Sequence, residues 1–599
     1  MINNGCLIDE LKRLKESSKE AVENITNFSG FKQYMHVKRN VQDELFNIIN
    51  KSSKSNSAKL ILVCGGVGDG KSHIISYFKN QYPDIMSGFE INNDATESFT
   101  PSKTSIDTLN DVLKDFNDDN VLHSNKKFIL AINLGALSNF IDSKYQSNFK
   151  LLKKYVEDKK ILERDISDNS YDEESNFQFI NFSDYHIYSL TEEKPKSQYV
   201  EEIINKITKD DEQNIFKNSY KLNCVNCEVN YKCPIKINYE MLMKDSIKEK
   251  LIDVLIESVV KDKLIVSTRA ILNLIYDFIV NTELDNKNND ELKTYINKMN
   301  CNEFISCIFV SNLFEHKELS SILQSISKID PINSTSEELD DVIIRLNVTE
   351  DMTNVFKEYL NIDGNNYLNS LISKYETIEN AINKLDKKSE KNNLVNKLIN
   401  MFIRLHIFMP KKSIDLDDKT YLSYMKFLYY WNKGEIRKLS SLYNNVKEAI
   451  YNWNGEAASE KINISLGRNQ MRYKMSQRLN ILADISNLKK DTSEELLKFN
   501  PSLILGYKSE NEIKNESYKI DIDFNLYELL MRVKSGYRPN KNDKYNYINF
   551  VEFINKIQKL GNQNKKVYIE DKQGIGNPNY VLIYKSEFDM FEFKNTSEV

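Results

Sequence analysis

The segment that most restricts this chain is Gly65-Gly66-Val67-Gly68-Asp69-Gly70-Lys71-Ser72. It fits the spacing G-x-x-x-x-G-K-[ST]. Directly before it, Leu60-Ile61-Leu62-Val63-Cys64 is an unbroken apolar run, the pattern of a strand buried on both faces. Directly after it, Ile74, Ile75 and Phe78 recur at helical spacing. Strand, glycine-rich turn and helix in that order form a cradle for phosphate. Glycine lets the backbone curl closely with no Cβ in the way. The helix start then offers N–H groups and a positive dipole end to the same oxygens. In this arrangement Gly65, Gly66, Val67, Gly68, Asp69, Gly70, Lys71, Ser72 and His73 surround the polyphosphate tail of ATP. Lys71 bridges the β- and γ-phosphates and the Ser72 hydroxyl ligands Mg²⁺. The reading requires a curl open to a polyphosphate and not plugged by side chains.

Hydrolysis needs a carboxylate at the end of a neighbouring strand, to hold Mg²⁺ through water or to activate the attacking water. The natural strand is Phe128–Ile132, but it ends in Asn133-Leu134-Gly135, and asparagine cannot act as a base. Asp94 and Glu97, after the strand Phe89–Asn92, are the preferred replacements, and Asp184, after Phe177–Phe182, is the alternative. Arg269 falls in the first turn of a helix capped by Ser267 or Thr268. A cation there opposes the helix dipole. It resembles the sensor-2 arginine that reaches the γ-phosphate in ASCE-type ATPases.

Strand and helix alternate over residues 58–180, which predicts a parallel sheet. A helix is expected from about Leu137 to Val156, and an acidic solvated loop over 157–174. From about 244 to 455 the pattern is helical nearly throughout. Beyond 460 the expectation is mixed, with strands at Lys461–Leu466, Leu503–Tyr507, Val567–Glu570 and Tyr580–Tyr584 and helices near 524–534 and 548–560. The 599 residues therefore read as an N-terminal helical segment (1–57), an α/β P-loop NTPase core of the ASCE/AAA-like type (58–285) with a cysteine-cluster insertion near 220–236, a helical domain (286–455) and a mixed α+β C-terminal domain (456–599). Only 17 Gly and 9 Pro over this length favour long helices over a many-turned sandwich.

Lys and Arg number 82 against 87 Asp and Glu, a net charge of −5. A polycationic DNA coat is excluded, so any nucleic-acid contact must be a local patch. One candidate is 461–480, where Lys461, Arg468, Arg472, Lys474 and Arg478 occur with no acid and Tyr473 adds a stacking ring. Gly536-Tyr537-Arg538-Pro539 with Lys541 and Lys544 is a second. A solvated basic face, or contact with a partner's acidic surface, is the competing explanation of both.

Seven cysteines, an odd count, argue against a disulfide framework and for a reducing cytoplasm. The start of the chain lacks the basic and apolar regions of a signal peptide. Cys224, Cys227 and Cys233 form C-x₂-C-x₅-C, spacing suited to a structural Zn²⁺ with Cys301, Cys307, His186 or water as the fourth ligand; plain reduced thiols or an Fe–S cluster are the alternatives.

Several segments together resemble the DptF family of DNA phosphorothioation-dependent restriction proteins. They are Gly68-Asp69-Gly70-Lys71-Ser72-His73, Asn93-Asp94-Ala95-Thr96-Glu97-Ser98, Ala131-Ile132-Asn133-Leu134-Gly135, Cys233-Pro234, Ser267-Thr268-Arg269, Tyr276-Asp277, Leu526-Tyr527-Glu528-Leu529 and Gly536-Tyr537-Arg538-Pro539. The resemblance implies a bacterial antiviral defence component that drives restriction of DNA lacking sulfur-modified linkages, with DptG- and DptH-like subunits as partners. Asn133 matches that family pattern, so under the resemblance it does not mark a dead site. No nuclease constellation is present, which assigns cleavage to a partner. A nucleotide-gated scaffold without turnover and a STAND-type signalling ATPase are the alternatives.

Overall fold

The computed structural model describes residues 5–23, 30–66, 69–93, 104–162, 169–361, 378–458, 460–464, 472–486, 488, 490–509, 517–561, 565–573 and 579–596. The chain divides into two compact units, Met1–Ser189 with Pro195–Asp417, and Leu190–Lys194 with Asp418–Val599.

The first unit opens with helices Leu7–Glu23, Gly30–Met35 and Asn40–Ser53, followed by a four-stranded parallel sheet. Its strands are β1 (Lys59–Cys64), β2 (Glu90–Asn92), β3 (Lys127–Ile132) and β4 (Phe177–Asn181), in the spatial order β2-β3-β1-β4. β1 and β3 are central, as their continuous apolar runs require. Side chains alternate between the two faces of a strand. Leu60, Leu62 and Cys64 join Phe128, Leu130, Phe177 and Phe179 in a core closed by Leu109, Leu137, Phe140 and Leu152. Ile61 and Val63 join Ile129 and Ile180 in an opposite core closed by Val41, Leu45, Ile74 and Phe78. The sheet is therefore covered by helices on both faces. Burying each such Leu, Ile or Phe contributes about 1.5–3 kcal/mol.

One expected helix is two. Leu134–Ile141 ends, a short turn at Gln146–Asn148 follows, and Lys150–Asp158 begins anew. The cause is remote. Both oxygens of Asp118 accept the free amides of Lys150 and Leu151 at 2.9 Å, which starts the second helix from outside it. The rest of the unit, after β5 (Tyr185–Leu190), is helical, from Gln198–Thr208 through Lys388–Phe408.

The second unit begins with helices Lys419–Lys433 and Ser440–Asn452. Its strands are β6 (Lys461–Ile464), β7 (Tyr473–Arg478), β8 (Ile481–Asp484), β9 (Leu496–Lys498), β10 (Leu503–Ser509), β11 (Ser517–Ile522), β12 (Lys566–Asp571), β13 (Asn579–Lys585) and β14 (Met590–Asn595). An antiparallel five-stranded sheet runs β14-β13-β12-β7-β6 and a three-stranded one β11-β10-β8. Helices Phe524–Lys534 and Ile548–Gln558 fall where their apolar spacing puts them. β7, β8, β9, β11 and β14 add to the strands expected from the sequence. β7 occupies the basic run, and it pairs on both edges, with Lys461 opposite Arg478 and Tyr473 opposite Asp571. Among the described residues, no helix is long and apolar enough to cross a membrane.

Candidate functional site

The parallel register sets Cys64, Ile132 and Asn181 side by side, so β1, β3 and β4 end at one edge of the sheet. Ligands of open parallel sheets bind beyond that carboxyl edge. The glycine-rich loop leaves it from β1. Gly65 has φ +154° and Gly70 has φ +84°, backbone that disfavours any side chain. A Cβ on Gly65 would stand 2.7 Å from Asp69 Oδ2 and 2.9 Å from Phe182 Cβ. Gly70 is the N-cap of helix Lys71–Gln81, which therefore starts at the mouth of the loop.

Among the described residues of the loop, several groups satisfy one another. Lys71 Nζ donates to the carbonyls of Gly65 at 2.8 Å and Gly66 at 2.6 Å. Asp69 Oδ2 accepts the Gly66 amide at 2.6 Å and the Ser183 hydroxyl at 3.2 Å. The expected open curl is thus held partly closed by the Asp69 carboxylate, an anion on an amide that points to anions. Ser72 and His73 are exposed on the first turn of the helix. Val67 and Gly68 lie outside the described residues.

The surrounding residues divide cleanly. Asp94 and Glu97 lie outside the described residues. Asp184 sits just past β4 and accepts Asn181 Nδ2 at 2.7 Å, placing one carboxylate at the carboxyl edge beside β1. Asn133 sits at the tip of β3, next to β1, and its side-chain oxygen caps helix Leu134–Ile141 through the Ala136 amide at 2.7 Å. That cap explains why this position holds asparagine. Arg269 is exposed in the first turn of helix Thr268–Ile279, which Ser267 caps through the Ala270 amide.

Two residues beside the loop escaped sequence reasoning. Arg39 donates to the Asp69 carbonyl, and at 3.4 Å to that of Tyr185, and lies 5.5 Å from the centre of the Tyr199 ring. The Tyr199 hydroxyl in turn meets Thr268 Oγ1 at 2.6 Å. The chain Arg39–Tyr199–Thr268 thus ties the loop to the helix that carries Arg269. The one available sequence signal was the arginine at the N-cap of helix Asn40–Ser53, where a short polar residue is preferred. His36 is the second. It stacks on Tyr77 at 3.8 Å and its Nδ1 lies 3.1 Å from His73 Nε2. Desolvation of the half-buried His36 imidazole holds it down to about 4. His36 is therefore neutral at pH 7.

The cysteines gather more widely than their spacing suggested. Cys224 ends the turn Tyr220–Cys224, the Cys227 amide donates to the Cys224 carbonyl at 3.4 Å, and Cys233 is the N-cap of helix Pro234–Leu242. Cys6, at the start of helix Leu7–Glu23, lies in the same corner. A Cβ on the preceding Gly5 would lie 3.9 Å from Asn223 Nδ2. Burial pushes the Cys233 thiol up to about 12, with smaller upward pushes from Cys6 and Cys227. Cys301 opens helix Cys301–Ser306, Cys307 directly follows that helix, and His186 lies on β5. All seven cysteines are free, and among the described residues no three His, Cys, Asp or Glu side chains form a group that could hold a metal as placed.

In the second unit, Arg472, Tyr473, Lys474 and Arg478 belong to β7 or its approach, and Arg468 lies outside the described residues. Arg472 pairs with Asp571 at 3.3 Å and Lys474 with Glu570 at 3.9 Å, so β12 partly neutralises this patch.

No protein-family model, curated protein or solved structure matches the chain.

Proposed function

We propose that this protein is a P-loop ATPase subunit of a bacterial DNA-restriction complex that spares phosphorothioate-modified self DNA. The observation that carries the ATP reading is the pair of positive-φ glycines, Gly65 and Gly70, beyond the carboxyl end of β1, leading into a helix whose first residue, Lys71, folds back onto the Gly65 and Gly66 carbonyls. The strand order supports it, because β3 separates β1 from β2 and puts a second strand tip beside the loop. Lys71 turns from the loop carbonyls to the β- and γ-phosphates, Ser72 takes Mg²⁺, and phosphate oxygens replace the Asp69 carboxylate on the Gly66 amide. Asp184, Asp94 or Glu97 positions the water. The restriction role and the DptG- and DptH-like partners rest on the family resemblance of the motifs.

Calorimetry with ATP and Mg²⁺, followed by phosphate release with and without unmodified DNA and partner subunits, tests the assignment. Binding heat and DNA-stimulated turnover are expected. No heat with Mg-ATP removes the proposal at its base. Asn133 favours a second reading, a nucleotide-gated scaffold, because its oxygen is committed to a cap and the β3 tip carries an amide where a carboxylate would serve. Tight binding without phosphate release selects that reading.

A structural zinc ion on Cys224, Cys227 and Cys233, with Cys6 as the fourth thiol, is a separate proposal supported by their shared corner. It requires the side chains to rotate inward from their present positions. Native mass spectrometry of the full chain should find zinc that is lost in Cys224→Ser, and a metal-free native chain rules it out.

A further inference from the structure

The two basic, aromatic segments singled out in the sequence lie about sixty positions apart, and the second unit folds them onto one concavity. It has a volume of 640 Å³ and is lined by Tyr473 and Lys474 of β7, by Lys534 and Tyr537-Arg538 after helix Phe524–Lys534, and by Lys572 after β12. Four cations face one carboxylate, Glu456, so the lining carries +3 in a chain of net −5. Its floor is built, not incidental. Helix Phe524–Lys534 ends in a Schellman turn, with the Tyr537 amide on the Arg532 carbonyl at 2.9 Å, the Gly536 amide on Val533 at 3.0 Å, and Gly536 at φ +98°. Asn463 Nδ2 donates to the Gly455 and Glu456 carbonyls at 2.7 and 3.0 Å and fixes the opposite wall.

The aromatic rings are held ready. Tyr537 donates to Asp543 Oδ2 at 2.7 Å and carries the Arg532 guanidinium 4.2 Å from its ring centre. Tyr473 carries Arg472 at 4.9 Å. Two of the cations have carboxylates at the edge of reach, Lys474 with Glu570 at 3.9 Å and Lys534 with Glu448 at 3.7 Å. Rings beside clustered cations are the recognition chemistry of unpaired nucleotides, whose phosphates take the charge and whose bases stack. The volume is that of a small-ligand pocket, enough for a nucleotide or two and not for an enclosed duplex.

We propose that this groove holds a single-stranded segment of DNA, with its phosphates on Lys474, Lys534, Arg538 and Lys572 and a base against Tyr537. The proposal shares with the reading above only DNA as the partner and does not use the nucleotide loop. Fluorescence anisotropy of the full chain with a labelled oligothymidine, and with a duplex as the second arm, tests it. Arg538→Glu with Lys572→Glu, both exposed, should weaken single-strand binding at least about tenfold and flatten its salt dependence by about 0.7 for each phosphate no longer held. Lys572→Gln gives a milder effect of the same kind. Mg-ATP binding should stay at the wild-type level in both variants, which separates failure of this groove from failure of the loop. Unchanged oligothymidine affinity in the variants, or a wild-type preference for duplex, overturns the proposal.

Discussion

Replacing Lys71 with alanine is expected to lower ATP turnover by at least about a hundredfold, the usual cost of removing one preorganised donor from developing transition-state charge. The structure sharpens the expectation. Lys71 Nζ bridges two loop carbonyls, at 2.8 and 2.6 Å. Its loss removes the tie between those carbonyls and, on the proposed reading, the contact to phosphate as well. Lys71→Arg should not restore activity, because the planar guanidinium is larger and presents its donors in a fixed fork. Phosphate-release assays on variants with unchanged circular dichroism make the comparison. A wild-type rate in Lys71→Ala would remove the loop from the mechanism.

The largest stability effect is expected at Asp330. Arg404 reaches it through Nε at 3.1 Å to each oxygen and through a terminal nitrogen at 2.6 Å, and both side chains are only 4% exposed. Arg404 also binds Glu315, and Asp330 additionally caps the turn Pro331–Asn333 through the Ile332 amide at 3.2 Å. Asp330→Ala leaves a buried guanidinium short of its main partner and should cost about 3–5 kcal/mol. Arg404→Met with Asp330→Leu removes both charges and should recover most of that loss. Denaturant midpoints of the first unit in the full chain measure both. A single variant as stable as wild type would show that Glu315 suffices as partner.

What could be read from the sequence follows from the range of the forces that set each element. β1, β3 and helix Phe524–Lys534 were legible because each carries its own burial in a local run or period. β7 was not, because its cations are answered by Asp571 and Glu570 about a hundred positions later, and only folding brings those acids beside them. The break at 142–149 was hidden for the same reason, since the capping carboxylate is Asp118. At the site, the spacing Gly65 to Ser72 was fully visible. Arg39, His36 and Cys6 were not, because each reaches its cluster from an N-terminal segment with no motif of its own.

Amides gathered at a strand tip usually look outward for an anion. Here one of them is answered from within, because Asp69 lends its carboxylate to the Gly66 amide. On the proposed reading, every arriving nucleotide competes with a tethered rival that is always present at high effective concentration. Affinity is then set by a difference between two anions and not by the cradle alone. On that reading, uptake depends on how well the phosphates displace a carboxylate already seated on the Gly66 amide.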